Sequence, residues 1–336
     1  MQIGHVGVMR TRMNDRADGE TGPGEKRHQR RVPWQDIHGI VIVDKPVGLS
    51  SNAVLQRVRR VYRARKAGHT GSLDPLASGV LPLCFGEATK LSGFLLDAAK
   101  TYEVTGRLGE QTATGDLAGD VVATAPIPEI TEEGLATLLS GFHGEIEQIP
   151  PMYSALKHKG KRLYKLARKG ETVERPPRRV TIHELELLAW HGSEFSLRVS
   201  CSKGTYIRTL VEDIGAAMGS CAHVTSLRRV AAGPFAVAEA VPLEKLEDPA
   251  AGAEFLAGRL MPVDSGIPGL ARVDLDADAA GRLRQGQLVP MPAGTALPEP
   301  GVVKVYGPGS GFVGLGNCDS SGTIAPRRLF NLPARE

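Results

Sequence analysis

Phe195, Leu197, Val199 and Cys201 alternate strictly with Ser196, Arg198 and Ser200. A period of two sends the first set to one face of a strand and the second to the other, so this chain must build a sheet with at least one dry face. Gly204 ends the strand. Tyr206 to Met218 then reads as a helix, with Leu210, Val211 and Ile214 on one side and Gly219 at its end. Gly39-Ile-Val-Ile-Val43 is a continuous apolar run, read as a buried strand that Lys45-Pro46-Val47-Gly48 stops. Ser50 or Ser51 can cap a helix whose Val54, Leu55, Val58, Val61 and Tyr62 form one stripe. Tyr102 to Arg107 reads as a strand turned by Gly109, and Thr131 as a cap ahead of Glu132 and Glu133. Residues 68–90 read as a loop, Thr89 to Ala99 as a helix and 244–263 as a closing helix. Strands mixed with helices in this order predict an α+β fold.

The chain has 336 residues, enough for about two domains. Up to residue 35 it is Gly-rich, polar and aperiodic, as expected of a disordered basic extension. An ordered unit is expected over 36–262, with an exposed basic insertion, partly helical, at 150–179. From about 270 Gly and Pro become dense between short apolar runs, which predicts a small all-β module over 268–332. No run of about 18 apolar residues is present, so no membrane span is expected. The start lacks a secretory segment, which points to the cytoplasm. Cys84, Cys201, Cys221 and Cys318 form no CxxC pair and read as reduced thiols rather than zinc ligands or disulfides.

Charge points to a partner. The net charge is only +4, but it is segregated. Six of the ten positions from 57 to 66 are basic, and ten basic residues between 157 and 179 face only Glu171 and Glu174. Two such runs favour a polyanion-binding face over a merely solvated one.

The stretch Gly68-His-Thr-Gly-Ser-Leu-Asp-Pro-Leu-Ala-Ser-Gly-Val-Leu-Pro-Leu83 holds one acid, Asp74, among neutral and apolar neighbours. Pro75 stiffens the backbone after it, and Gly71 and Gly79 permit bends on both sides. A carboxylate on a stiff loop suits a nucleophile or a base, although Asp-Pro also serves plain turns. No GxxxxGK[ST] and no His-rich metal spacing appears, so neither nucleotide nor metal is expected.

Gly68-His69-Thr70-Gly71-Ser72-Leu73-Asp74-Pro75 resembles the catalytic motif of the TruB family of tRNA pseudouridine synthases. Further segments resemble that family in its order. They are Val43-Asp44-Lys45-Pro46-Val47-Gly48-Leu49-Ser50-Ser51, Lys100-Thr101-Tyr102-Glu103-Val104, Gln148 to Lys157, Cys201 to Leu210, and Ala222-His223-Val224 with Leu227-Arg228-Arg229. The resemblance covers roughly residues 38–235. It implies a pseudouridine synthase catalytic domain with a mixed, largely antiparallel sheet, followed by a PUA-like RNA-binding module. The implied reaction is isomerisation of uridine 55 in the T loop of tRNA, by base flipping and without a cofactor.

Residue by residue, the resemblance makes Asp74 the catalytic aspartate. Tyr102 would stack on the extracted uracil and help to remove its C5 proton, and Arg208 would pair with Asp74. His69, Tyr206 and Leu227 would line or gate the base pocket. Lys45 and the thumb residues Lys157, Lys161 and Arg162 would bind substrate, with tRNA as the partner of a monomer. Taken alone, Tyr102 also suits a plain strand position, His69 a hydrogen-bonding loop and Leu227 a core. Two other readings compete. One is a non-catalytic RNA-binding or RNA-folding protein on the same scaffold. The other is a retaining glycosidase, which lacks a second acid near the motif.

Overall fold

The computed structural model describes residues 33–294 and 299–333, apart from the side chain of Ser310. Most of the expected extension, residues 1–32, lies outside the described residues. The alternating strand forms as read. Phe195, Leu197, Val199 and Cys201 of Glu194–Cys201 are buried and pack against Leu210, Val211 and Ile214 of the helix Ile207–Ala217.

In chain order the main elements are β1 (Gly39–Lys45), α1 (Ser51–Val61), β2 (Ser78–Phe85), β3 (Lys100–Leu108) and α2 (Glu132–Ser140). There follow β4 (Gly144–Gln148), β5 (Arg178–Trp190), β6 (Glu194–Cys201), α3 (Ile207–Ala217) and β7 (Ala222–Ala232). They build one sheet in the order Val241–Pro242, β1, β2, β7, β3, β6, β5, β4. Pairing is antiparallel except at Val241–Pro242 with β1 and at β2 with β7, so the sheet is mixed and largely antiparallel. β1 is continuously apolar because both its faces are covered: Ile40 and Ile42 enter one core cluster, Val41 and Val43 another. Ser50 caps α1, its hydroxyl accepting from the Ala53 amide at 3.2 Å, and Val54, Leu55 and Val58 dock on the second cluster.

The segment 68–90 corrects the sequence reading. Instead of one loop it holds a short strand, Ala67–His69, and then β2, which lies inside the sheet between β1 and β7. Pro82, inside this strand, brings no N–H to the ladder. Here it stands opposite Ile42, and its carbonyl still accepts from the Thr70 amide at 3.2 Å. Gly79 was read as a bend, and its reason is close approach. At φ +101° a Cβ on Gly79 would lie 2.1 Å from the Arg229 carbonyl oxygen. We therefore expect Gly79→Ala to cost about 1–3 kcal/mol from backbone strain, with the clash added. Urea unfolding checks this, and unchanged stability would disprove the close approach. The expected helix from Thr89 to Ala99 is a 3₁₀ turn, Gly86–Leu91, running into a short helix, Ser92–Asp97. The closing helix is in fact three short pieces, Leu243–Glu247, Ala253–Gly258 and Val263–Gly266.

The C-terminal strands are β8 (Arg272–Asp274), β9 (Gly301–Tyr306), β10 (Phe312–Cys318) and β11 (Thr323–Leu329), completed by Val289–Pro290 at the β11 edge. A helix that the Gly/Pro texture did not announce, Ala277–Arg284, accompanies them, capped by Asp276 on the Ala279 amide. Val273, Leu283, Val303 and Val305 form a core of their own. Tyr306, Phe312 and Phe330 instead join Ile40 of β1, Leu95 of the helix Ser92–Asp97 and Ile267 beyond Val263–Gly266 in one apolar seam. Lys90 spans that seam, donating to the Leu329 carbonyl at 2.8 Å and pairing with Glu87 at 2.6 Å. Among the described residues no helix is long and apolar enough to cross a membrane.

Candidate active site

The Asp74 loop extends the hairpin of Ala67–His69 and β2, and a neighbouring segment holds it still. Ser51, buried at the start of α1, accepts from the Leu73 amide at 2.7 Å and donates to the Leu73 carbonyl at 3.0 Å. The Gly48 amide donates to the Pro75 carbonyl at 2.7 Å, and the Ala77 amide to the Asp74 carbonyl at 3.0 Å. The Val43–Ser51 motif thus serves as the loop's scaffold. Lys45 itself has no exposed surface, so it does not reach a ligand as the sequence reading had it. Its ammonium donates to the Pro46 and Leu49 carbonyls at 2.9 and 2.7 Å. Burial lowers its pKa to about 8, against the attraction of Asp74.

Asp74 is brought to Arg208 at 2.9 Å. Arg208 lies in the first turn of α3, where the helix dipole opposes a cation. Acceptors and acids from other segments offset that. The guanidinium donates to the Thr114 carbonyl at 2.5 Å and the Tyr153 carbonyl at 2.8 Å, and stands 3.9 Å from Asp116. Its side chain is 5% exposed and that of Asp74 43%, so the arginine is braced inside while the carboxylate faces outward. Burial among the surrounding segments pushes the Asp74 pKa up. Arg208 and then Lys45 oppose that rise, and Asp116 adds to it.

The outward side is a cleft of about 1030 Å³ whose wall includes Asp74, His69, Arg208 and Asp116. That exceeds the space of a nucleobase with its sugar. Its far wall is the basic insertion, which contributes Tyr153, Arg162, Lys165 and Arg168. Lys157–His158 and Lys161–Arg162 pair as a hairpin, and Lys159 and Gly160 at its tip both have positive φ, the two-residue turn that suits strand twist. Lys157 and Lys161 are exposed on this hairpin, while Leu163 and Leu166 anchor the helix after it.

Other predicted residues are placed as follows. His69 reaches the cleft, and its buried Nδ1 has no hydrogen-bond partner among the described residues. Burial, and then the charge of Arg229, lower its pKa, so the ring is neutral near pH 7. Tyr102 stands half-buried on β3, in register with Arg229 and packed against the main core, and is not among the residues of the cleft wall. Burial raises its phenol pKa, Arg229 works against that rise, and the Asp74 charge adds to it. Tyr206 precedes α3. Gln148 holds its backbone from both sides, accepting from its amide at 3.0 Å and donating to its carbonyl at 3.3 Å. Leu227 is a correction to the pocket-lining reading. It is buried in the core opposite Val104 and packs there rather than on the cleft wall. The basic run of α1 is also partly structural, since Arg57 pairs with Glu247, Arg65 with Asp36, and Arg59 covers Trp34.

Sequence reasoning passed over Asp116 and Arg229. The only local signal for Asp116 was one acid after Thr112-Ala-Thr-Gly115, 42 residues beyond Asp74. Arg229 sat in a quoted motif without a role. Asp116 also bears on the glycosidase reading, since the fold does bring a second acid to the cleft. That acid is occupied, however. Its Oδ1 accepts from the Thr114 hydroxyl at 2.6 Å and the Ala118 amide at 3.0 Å, and it is almost fully buried. Among the described residues no three His, Cys, Asp or Glu side chains gather as for a metal ion.

Residues 59–207 match the model of the TruB family pseudouridylate synthase N-terminal domain. Residues 208–267 match the tRNA pseudouridylate synthase B C-terminal domain, and 271–330 the C-terminal domain of pseudouridine synthase II TruB. The tRNA pseudouridine synthase B of Nitrosococcus oceani is 54% identical over 305 residues, spanning 90% of this chain and 98% of that one. Its counterpart in Aromatoleum aromaticum is 52% identical over 308 residues, spanning 92% and 96%. Among solved structures, a Cbf5–Nop10–Gar1 complex aligns with TM-score 0.67 and 25% identity over 87% of this chain and 84% of that one.

Proposed function

The chain belongs to the TruB family of pseudouridylate synthases, and we propose from that premise that it converts uridine 55 in the T loop of tRNA to pseudouridine, with Asp74 as the reacting carboxylate. The observation that carries this is the Asp74–Arg208 pair, with its arginine braced inside the protein and its carboxylate facing a cleft wide enough to admit a flipped nucleoside.

The reaction breaks the N1–C1′ bond of uridine and makes a C5–C1′ bond. C5 loses a proton and N1 gains one, so nothing is consumed and no cofactor is required. Arg208 favours the ionised form of Asp74 and aims it. A stacked base hides its atoms, so the uridine is flipped into the cleft. His69, neutral and at the cleft wall, fills the space the base leaves. Tyr102 gives the ring a face to stack on, worth about 1–3 kcal/mol. Because its phenol is neutral in the free protein, its part in taking the C5 proton depends on the cation beside it.

Residues 36–262 act as the catalytic part and 268–332 as a PUA-like RNA-binding part, in a monomeric cytoplasmic enzyme. The segment 150–179 is the thumb over the T stem-loop. Replacing Lys157, Lys161 and Arg162 together by Ala should weaken tRNA binding and reduce the slope of log Kd on log salt by about 2. Filter binding across a salt series measures it, and an unchanged slope removes the thumb from the interface.

The decisive experiment incubates the protein with an unmodified tRNA transcript and maps pseudouridine. Modification at position 55 supports the reading. Modification elsewhere contradicts it, and binding with no product would favour an RNA-folding protein on this scaffold.

A further inference from the structure

Arg229 on β7 is 1% exposed. Its neighbour Arg228 is paired with Asp44 at 2.7 and 3.1 Å, but among the described residues no carboxylate lies within ion-pair distance of Arg229. Burying a guanidinium without a counter-charge is costly, and an apolar side chain would fill the same space with less penalty. The guanidinium instead joins parts of the site. Its Nε donates to the Val80 carbonyl at 2.7 Å and its Nη2 to the Gly71 carbonyl at 3.2 Å. Those two acceptors bracket Asp74, one shortly before it on the loop and the other just inside β2. Nη1 stays on the Gly71 side, 3.4 Å from where a Cβ on that glycine would lie.

The sheet supplies the second half of the argument. Arg229 stands in register with Gly79 of β2 on one side and with Tyr102 of β3 on the other. Directly opposed residues on adjacent strands share a face, so one residue spans the interval between the Asp74 loop and Tyr102. The charge of Arg229 is felt there, because it opposes the rise in the Tyr102 pKa.

We propose that Arg229 is a positioning residue for the isomerisation, clamping both ends of the Asp74 loop and fixing that loop against Tyr102. Carboxylate and phenol then meet the same uracil ring from set directions. This rests on the roles given above to Asp74 and Tyr102. A guanidinium suits the task because its planar fork fixes two acceptors at once, whereas an ammonium is a point charge.

The test compares Arg229→Gln, Arg229→Lys and Asp74→Asn with the parent protein on a full-length unmodified tRNA transcript. Single-turnover rate, tRNA affinity and thermal melting are read for each. Arg229→Gln should melt cooperatively, bind tRNA almost as the parent does, and isomerise about 100-fold more slowly, the loss expected of a misplaced reacting group. Arg229→Lys, which keeps the charge and one donor, should recover about tenfold of that rate at unchanged affinity. The double variant Tyr102→Phe with Arg229→Gln should be no slower than Tyr102→Phe alone, because both act on one unit.

The proposal is overturned if Arg229→Gln turns over like the parent, if its deficit lies in affinity rather than rate, or if the double variant is additive. It is also overturned if both Arg229 variants fail to fold, since the residue then holds the fold and not the site. Asp74→Asn separates the two levels. Full turnover in that variant sinks the catalytic reading itself. An inactive Asp74→Asn beside a fully active Arg229→Gln sinks the positioning role alone.

Discussion

Asp74→Asn abolishes pseudouridine formation, lowering it by about 10⁴-fold or more, because Asn keeps the shape but cannot supply the reacting oxygen. Affinity for tRNA should change by no more than a few fold, since the basic side chains of the cleft wall are left in place. The variant is no less stable than the parent. Arg208 keeps the Thr114 and Tyr153 carbonyls and stays within reach of Asp116. The linkage has a definite sign. Burial raises the Asp74 pKa in the folded state, so this group's stabilising contribution is present below its unfolded value and is lost as pH rises through the folded one. The stability of Asp74→Asn relative to the parent should therefore improve from acid to neutral pH. Pseudouridine mapping, filter binding and melting curves over that range check all three statements. A variant that turns over normally, or that melts progressively lower than the parent as pH rises, contradicts the account.

Arg208→Ala fails for a different reason. Its guanidinium sits between Asp74, Asp116 and two carbonyls while almost wholly buried. Removing one partner of a buried charge pair costs about 3–5 kcal/mol, because it leaves Asp116 and both carbonyls uncompensated. Denaturant unfolding measures that loss. Arg208 is also the largest influence holding the Asp74 pKa down against burial. The acid limb of the pH–rate profile should therefore move to higher pH in whatever activity remains. A limb that stays in place, or stability close to that of the parent, would show that the pair does not work as drawn.

What the sequence disclosed was local. Alternation at 195–201, a serine cap at position 50 or 51 and the Asp74 loop each declare themselves within a few residues; the strand forms, Ser50 is the cap, and Ser51 instead holds the Asp74 loop. What it hid depends on distance or on the second face of the sheet. Gly and Pro inside the run Ser78–Phe85 mask β2 at short range, and only its neighbours β1 and β7 give Gly79 and Pro82 a reason. Asp116 could not be tied to Asp74 without the fold. The family resemblance puts Lys45 and Leu227 at the ligand, but the fold buries both. A basic residue in a sequence carries no mark of whether it faces water. Arg57 and Arg228 are tied to acids well over a hundred positions away.

The aromatic seam of Tyr306, Phe312 and Phe330 against Ile40, Leu95 and Ile267 has an evolutionary corollary. An appendage tethered by a flexible linker can be gained, lost or traded between genes without changing its host. This one cannot, because its departure would leave wet hydrocarbon on the body of the enzyme. Lineages that differ in the tail must also differ at the residues beneath it, and covariation between the two halves of the gene is where that history should be written.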